Sequence, residues 1–463
     1  MTSNIVKTLL AILLFNFSFI ENQQSDEYCQ SSDVNLNCQN FTSFSQLNLT
    51  YFEPDNNDTS FKYLVFSPST SLLLDASLNL GQLPVASDTY EVTFKNILGI
   101  DILSNPFAEM DPSIKNILQL VDSKFELVYE NKPVDSQACD YILQNQIFIP
   151  LTATASLFFL YNPTYSITPL CGAFFNTANL NLFDISNIND NNSFSFHSNS
   201  NYTSDFSSNI QTFNIHSSDF KLTEKILDIN VFKNIQYLNI QESRLQGIQD
   251  DLFEYFSFLK IFELELINFG EFFKSSSNEW LLNLNTNITV NLTDSNDVNN
   301  NLDKKLELFL VDPTATYDYP SSDICLFKNF PHDKLVLPII ETKSDLACSC
   351  TLLWLLKYKS IYDMNSKANP MYTESTAKCL DDPNFSNLIQ KCNFNENFKQ
   401  CDPNYTTTPS QTSNQDFRTA TIILSVLSVI LVGIIVYVLF VFRIKKNLSL
   451  YKNLDSPSIN NEA

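Results

Sequence analysis

Six glycines in 463 residues set the first limit on what this chain does. Gly81, Gly99, Gly172, Gly247, Gly270 and Gly433 are too scattered to form a phosphate-cradling loop or a nucleophile elbow. Histidine is scarcer still, with three in all, and neither a Ser-His-Asp constellation nor a metal-ligand spacing is visible. No catalytic residue, metal ligand or cofactor site is therefore expected. Cations are also in short supply: 28 Lys plus Arg stand against 51 Asp plus Glu, for a net charge of -23. Phosphate binding needs clustered basic side chains, so nucleic acid is not expected as a partner. Apolar residues are not lacking. A hydrophobic fraction of 44% suffices for a core, and the length allows two to four domains or one long array.

The strongest pattern lies between Ile210 and Phe272, where apolar residues recur at offsets 1, 4, 6 and 11 of a repeating block. The first block gives Ile210, Phe213, Ile215 and Phe220, and the second gives Ile235, Leu238, Ile240 and Leu245, closing with Ile248. The third gives Leu259, Phe262, Leu264, Phe269 and Phe272. Block starts are 25 residues apart (210 to 235) and then 24 (235 to 259). Ile229 and Phe232 precede Ile235 at the same distances as Phe253 and Phe256 precede Leu259, so the return half of the block matches too. Positions 4 and 6 lie two apart and point to one side of a short strand, the core side. One block cannot bury its own face, so neighbours must stack on it. An amphipathic helix or an isolated buried strand would not hold three blocks in phase.

These blocks resemble the extracellular leucine-rich repeat family, whose repeats run about 20 to 29 residues. The resemblance implies an α/β solenoid: a leucine-rich-repeat horseshoe with a parallel β-sheet on its concave face, disulfide-capped ends and one transmembrane helix. Position 9, an Asn in that family, is Ser218, Ser243 and Ile267 here, which argues against an asparagine ladder.

Along the chain, residues 1–22 read as a signal peptide, with Lys7 before an apolar run from Leu9 to Ile20. Residues 23–63 form an N-terminal flank, where Cys29 and Cys38 are expected to bridge locally. Residues 64–179 read as divergent repeats or a small α/β region. Tyr90, Val92 and Phe94 alternate as a strand does, as do Phe125, Leu127 and Tyr129. Between them, Ile114, Ile117, Leu118 and Val121 have a spacing that suits a helix starting near Asp111. Cys139 and Cys171 are expected to pair. Residues 180–320 carry the main repeats, with Leu180, Phe183 and Ile185 as a first strand and continuations at Leu282 to Leu292 and Leu306 to Leu310.

The second strong signal runs from Leu346 to Leu355, where Cys348-Ser349-Cys350 leads into Trp354. It resembles the C-terminal flank of extracellular leucine-rich repeats, so 321–401 is expected to be a cysteine-rich cap over the last repeat. The family pattern would join Cys348 to Cys379 and Cys350 to Cys392 or Cys401, leaving Cys325 for the other. A zinc site is the competing reading of these cysteines, but His332 is the only histidine nearby. All 10 cysteines lie between the expected signal and membrane segments, an even number that fits an oxidising exterior.

Residues 402–419 read as a polar stalk. Residues 420–442 carry no charge over 23 positions, enough to cross a hydrocarbon core of about 30 Å. Arg443, Lys445 and Lys446 follow, which places 443–463 inside the cell as a cytoplasmic tail. This is the topology of a single-pass type I protein of the plasma membrane. In the tail, Tyr451 and Leu454 fit the Y-x-x-Φ pattern that clathrin adaptors read. Glycosylation sequons fall at Asn40, Asn48, Asn57, Asn191, Asn201, Asn287, Asn291, Asn384 and Asn404.

The expected binding surface is the set of repeat positions that point away from the core. Position 5 gives Asn214, Asn239 and Glu263, and position 7 gives His216, Gln241 and Glu265, with Tyr237 beside them. For any one of them the plainer reading is a solvated polar side chain; as a set they form the candidate surface for an extracellular protein or peptide ligand. The function expected is thus a receptor or adhesion protein without catalysis of its own. The alternatives are an accessory subunit that signals through a co-receptor, favoured by the short tail, and an ectoenzyme using carboxylates such as Glu263 and Glu265.

Overall fold

The computed structural model describes residues 27–401 apart from 33, 53–59, 76, 87, 105–110, 112, 122, 124–125, 148–153, 161–168, 178, 190–193, 198–201, 343–345 and 359–373. The expected signal, stalk, membrane span and tail lie outside the described residues, as do Asn57, Asn191, Asn201, Asn404, Tyr451 and Leu454. The chain divides after Asn397. The architecture below belongs to the part before that point. Of the second part only Phe398 to Cys401 are described, where the Cys401 amide donates to the Phe398 carbonyl at 3.1 Å.

Alternation of buried and outward side chains builds one long sheet. It opens with an antiparallel hairpin, β1 (Cys29–Ser32) and β2 (Asn35–Gln39). Every later pairing along its main path is parallel: β3 (Tyr63–Ser67), β5 (Thr89–Lys95), β7 (Lys115–Val121), β10 (Thr154–Leu160), β11 (Leu182–Ser186), β12 (Thr212–His216), β14 (Tyr237–Ile248), β15 (Ile261–Leu266), β16 (Leu306–Asp312) and β17 (Val336–Thr342). Thr212 pairs with Tyr237 and Tyr237 with Ile261, steps of 25 and 24 residues. Ile117 to Ser156 is a step of 39 and Ile261 to Glu307 one of 46. The first of these holds the helix Ser136–Asn145, and the second holds the helices Phe269–Ser275 and Ser295–Asn301. A smaller sheet runs beside the first turns, with β4 (Leu72–Leu74), β6 (Ile97–Asp101) and β8 (Leu127–Tyr129) parallel and β9 (Lys132–Pro133) antiparallel to β8. Further on, β13 (Asp219–Leu222) pairs with the end of β14.

Three sequence expectations change here. The helix expected over 113–121 is the strand β7, paired to β5 from Thr89–Lys115 to Lys95–Val121. Its buried residues are Asn116, Leu118 and Leu120, while Ile117 and Val121 face outward, so outward apolar residues imitated a helical period. Leu282 to Leu292 forms a 3-10 turn (Glu279–Asn283) and irregular chain rather than a strand. Of the two residues expected to pin the return half of that block, Phe232 is buried but Ile229 is exposed, and Val231 is buried in its place. The sheet also runs past residue 320 to β17.

The core beneath the sheet is aromatic. Phe183 and Phe213 stack at 5.2 Å between centroids, and Phe213 and Phe232 at 4.5 Å. Phe175 and Phe194 close on Phe183 from the other sides at 5.1 and 5.7 Å. Further along, fully buried Trp280 meets Phe253 and Phe262 at about 6 Å. Such ring pairs add specific geometry to the apolar area they remove from water.

Three of the strands end in a turn whose backbone partner is a serine. The Ser218 hydroxyl accepts from the Ile188 amide at 3.1 Å and donates to the His216 carbonyl. The Ser243 hydroxyl accepts from the Ser218 amide at 3.1 Å and donates to the Gln241 carbonyl. Ser123 does the same for Ile97 and Val121. In the third block, where Ile267 is exposed, Asn268 one residue later accepts from the Leu245 amide and donates to the Leu245 carbonyl. A ladder therefore exists without the asparagine at position 9, because a buried hydroxyl can accept and donate at once. Ser217 and Glu242, the residues before the Ser218 and Ser243 hydroxyls, take a left-handed φ, as do Asn40, Asn96 and Asn187.

Disulfides join Cys29 to Cys38, Cys139 to Cys171, Cys348 to Cys379 and Cys350 to Cys392. Cys325 and Cys401 are each disulfide-bonded as well. The thiolates that a zinc site at Cys348 and Cys350 would need are thus in covalent bridges. The helix Cys350–Leu355 packs on the turn Ser321–Phe327, and the helix Glu374–Leu380 lies against β17. Ser349 caps the first of these by accepting from the Leu352 amide at 3.1 Å, and its hydroxyl also bonds the Tyr319 carbonyl. The Trp354 indole donates to the Phe327 carbonyl at 2.7 Å. Among the described residues no helix is long and apolar enough to cross a membrane.

Candidate ligand-binding face

The outward residues of β11 to β16 meet in registered rows. Asp184, Asn214, Asn239, Glu263 and Phe309 are successive partners across five strands, and Ser186, His216 and Gln241 across three. The register slips between Ile240–Leu264 and Ser243–Leu266, which takes Glu265 out of row with Gln241; on its other side Glu265 pairs with Val311. All seven expected residues lie on this face, six of them half-buried and Tyr237 exposed.

Hydrogen bonds fix most of the set. Asn239 donates to the Asn214 side-chain oxygen at 2.8 Å, and Asn214 donates to Asp184 at 3.1 Å. His216 Nε2 bonds the same Asp184 oxygen at 3.0 Å, and Gln241 donates to Glu263 at 3.0 Å. The sequence rows missed Asp184, although it stands one residue after Phe183, where the position-5 rule would have found it. It ties the two rows together at one end, as the bond from Gln241 to Glu263 does further along.

Charge on the face is tuned by these contacts. The bond to Asp184 holds the His216 imidazolium above the usual histidine value, against the opposing cost of burial. Burial pushes the Glu263 carboxyl up, and the Glu265 and Glu341 carboxylates push it further, while Gln241 and His216 pull it down. A raised histidine stabilises the fold fully below its unfolded value of about 6.5 and loses that contribution as pH rises through the folded value. Asp184→Asn is accordingly expected to lower the His216 titration midpoint measured by NMR and to flatten the pH dependence of stability above about pH 6.5. An unmoved midpoint would show that the Asp184 contact is not what holds the proton.

Beside the polar rows lies a cleft of about 400 Å³ lined by Tyr237, Lys260, Ile261, Leu302, Asp303, Lys305 and Glu307. Tyr237, Ile261 and Glu307 are successive partners on β14, β15 and β16. The opposite wall, Leu302 to Lys305, comes from the end of the 46-residue step. Lys305 pairs with Glu307 at 2.9 Å, both largely sheltered. Only Tyr237 of this cleft was legible in the sequence rows, since nothing local in Leu302 to Lys305 shows that it returns to β14.

Five further sequons are described. Asn40, Asn48, Asn287, Asn291 and Asn384 are all exposed. The Asn291 side-chain oxygen accepts from both the amide and the hydroxyl of Thr293, and the Asn287 amide donates to the Ser257 carbonyl. Among the described residues no group of three His, Cys, Asp or Glu side chains could hold a metal ion.

A parallel ladder renewed every 24 to 30 residues apart from the steps of 39 and 46, with an apolar inner side and an open polar outer side, is a solenoid of the leucine-rich-repeat type. No family model matches the chain, and no curated protein matches it. Among solved structures it is similar to an internalin from Listeria monocytogenes, 13% identical, over 70% of this chain and 85% of that one, with a TM-score of 0.27. The class rests on the repeat geometry itself.

Proposed function

We propose that this protein is a cell-surface receptor or adhesion protein that holds a protein or peptide ligand on the outward rows of β11 to β16, without catalysis of its own. The observation that carries this reading is the linked array from Asp184 through Asn214 to Asn239, with the Tyr237 cleft at its side. A pre-ordered polar surface loses little side-chain freedom when a partner docks. Tyr237 supplies the exposed aromatic that interfaces favour. Glu263 and Glu265 stand on an open sheet rather than in a closed pocket, which suits binding better than acid–base chemistry.

The same reading places the array outside the cell: a signal over 1–22, a stalk over 402–419, a type I span over 420–442 and a tail whose Tyr451 and Leu454 engage clathrin adaptors. It also puts sugars on exposed sequons such as Asn287 and Asn291. Screening the full-length chain on cells against secreted and membrane proteins gives the ligand. Tyr237→Ala, Asn239→Ala and Glu263→Ala together are then expected to weaken capture at least about tenfold with unchanged surface staining. Capture that survives the triple change would move the site elsewhere.

A further inference from the structure

One outward row runs unbroken across ten strands, each residue paired with the next from Asn35 on β2 to Glu307 on β16. Two clefts open on this row. The one described above takes Tyr237, Ile261 and Glu307 from the successive strands β14, β15 and β16. The other, of about 210 Å³, takes Tyr63, Glu91 and Ile117 from β3, β5 and β7 in the same way. An acid and a lysine from the chain just before a strand wall each of them, Asp303 with Lys260 in the first and Asp88 with Lys62 in the second. The same five side-chain types therefore recur at two places on one row that share no residue. Both tyrosines are exposed, Tyr63 at 46% and Tyr237 at 36%. The acids beside them are already answered: Lys305 holds Glu307 at 2.9 Å, and the Thr89 and Asp88 amides, with Lys62 adding to them, hold the Asp88 carboxyl below its usual value. A further charge would have to displace one of these partners. Between the clefts the row passes through Ser156, Leu182 and Thr212, half-buried and uncharged.

We infer that this row is a docking track for an extended, uncharged protein segment that carries two aromatic side chains about nine residues apart, one for each cleft. The inference rests on the reading above that the outward face binds a protein or peptide, and it lengthens that face from β11 back to β3. Small-molecule sites run from about 300 to 1,000 Å³ and enclose most of their ligand, whereas these clefts of about 210 and 400 Å³ stand on an open sheet, so each suits one large side chain of a longer chain. A tyrosine ring gives another ring an offset or edge-on partner, and the carboxylate and ammonium beside it accept from or donate to a phenol. The spacing follows from the register. Six strand steps of about 4.8 Å carry the row from Tyr63 to Tyr237, about 29 Å, which an extended chain covers in about nine residues at about 3.3 Å each. Two modest anchors joined in this way bind as one, because seating the first presents the second at high effective concentration.

The test uses the full-length chain and three twelve-residue peptides of serine and threonine, one with two tyrosines nine positions apart, one with two tyrosines four apart and one with a single tyrosine. Binding is measured to the parent, to Tyr63→Ala, to Tyr237→Ala and to a variant with Tyr63→Phe and Tyr237→Phe, which keeps both rings. The nine-position peptide is expected to bind at least about tenfold more tightly than the other two, to fall to their level in either alanine variant and to keep its affinity in the phenylalanine variant. Equal binding of the nine- and four-position peptides overturns the inference, as does the absence of binding by any peptide. A loss in the phenylalanine variant equal to that in the alanine variants shows that the rings are not the contact, and overturns it too. If Tyr237→Ala weakens binding and Tyr63→Ala does not, the track falls while the face from β11 to β16 stands. If neither alanine changes the binding of the nine-position peptide, the track falls and so does the part given to Tyr237 in the reading above. Saturable binding of cellohexaose, lost in both alanine variants while no peptide binds, assigns the rings to a sugar chain and also overturns the inference.

Discussion

Replacing Phe213 with alanine is expected to lower stability by about 3 to 5 kcal/mol, the largest effect of any single change in the array. The residue is fully buried, and its ring is the middle of a stack that runs from Phe183 to Phe232. Removing it leaves a void between two repeats that cannot close, because the ladders from β11 to β12 and from β12 to β14 fix the spacing of the backbone. A solenoid is held by contacts between neighbours, so the damage should be local. Hydrogen exchange is expected to speed up in β11, β12 and β14 while β3, β5 and β7 keep their protection. Phe213→Leu should restore most of the loss. A midpoint of thermal unfolding within error of the parent's would mean that the stack carries little of the stability.

The second large effect is expected from opening the bridge between Cys350 and Cys392. It closes 42 residues, and on chain entropy alone such a loop restrains the unfolded state by about 4 kcal/mol. That is a large fraction of the roughly 5 to 15 kcal/mol by which an ordinary domain is stable. Cys350→Ser with Cys392→Ser is therefore expected to expose the C-terminal end first, since the helix beginning at Cys350 packs on Ser321–Phe327. Limited proteolysis should cut near residues 321–392 before any site in β11 to β15. The nine-residue bridge from Cys29 to Cys38 offers the contrast, at about 2.5 kcal/mol by the same reasoning. Equal effects from the two pairs would show that loop length is not what matters here.

Both experiments probe features that differ in how far the sequence reveals them. Phe213 announces itself, because position 4 of a repeating block has to be buried if neighbours are to stack. The rows Asn214–Asn239–Glu263 and His216–Gln241 follow from the same alternation, and a closer use of the rule would have added Asp184. The strand at Lys115–Val121 did not announce itself: outward Ile117 and Val121 with inward Asn116 inverted the usual pattern, and only pairing with β5 and β10 selects the strand. The serine ladder was hidden for a different reason. A hydroxyl can replace an asparagine only where the preceding repeat brings an amide to about 3 Å, and the amino-acid type alone does not report that distance.

The sequence by itself determined the period, the inward columns and the composition of the outward rows, because burial of an apolar face imposes alternation on each strand separately. Tertiary structure alone decided which outward residues bond one another, where the register slips between β14 and β15, and that Leu302 to Lys305 returns across a 46-residue step to wall the cleft at Tyr237. Those outcomes depend on the offset between one repeat and the next, which is set by packing over the whole array and leaves no local trace in the chain.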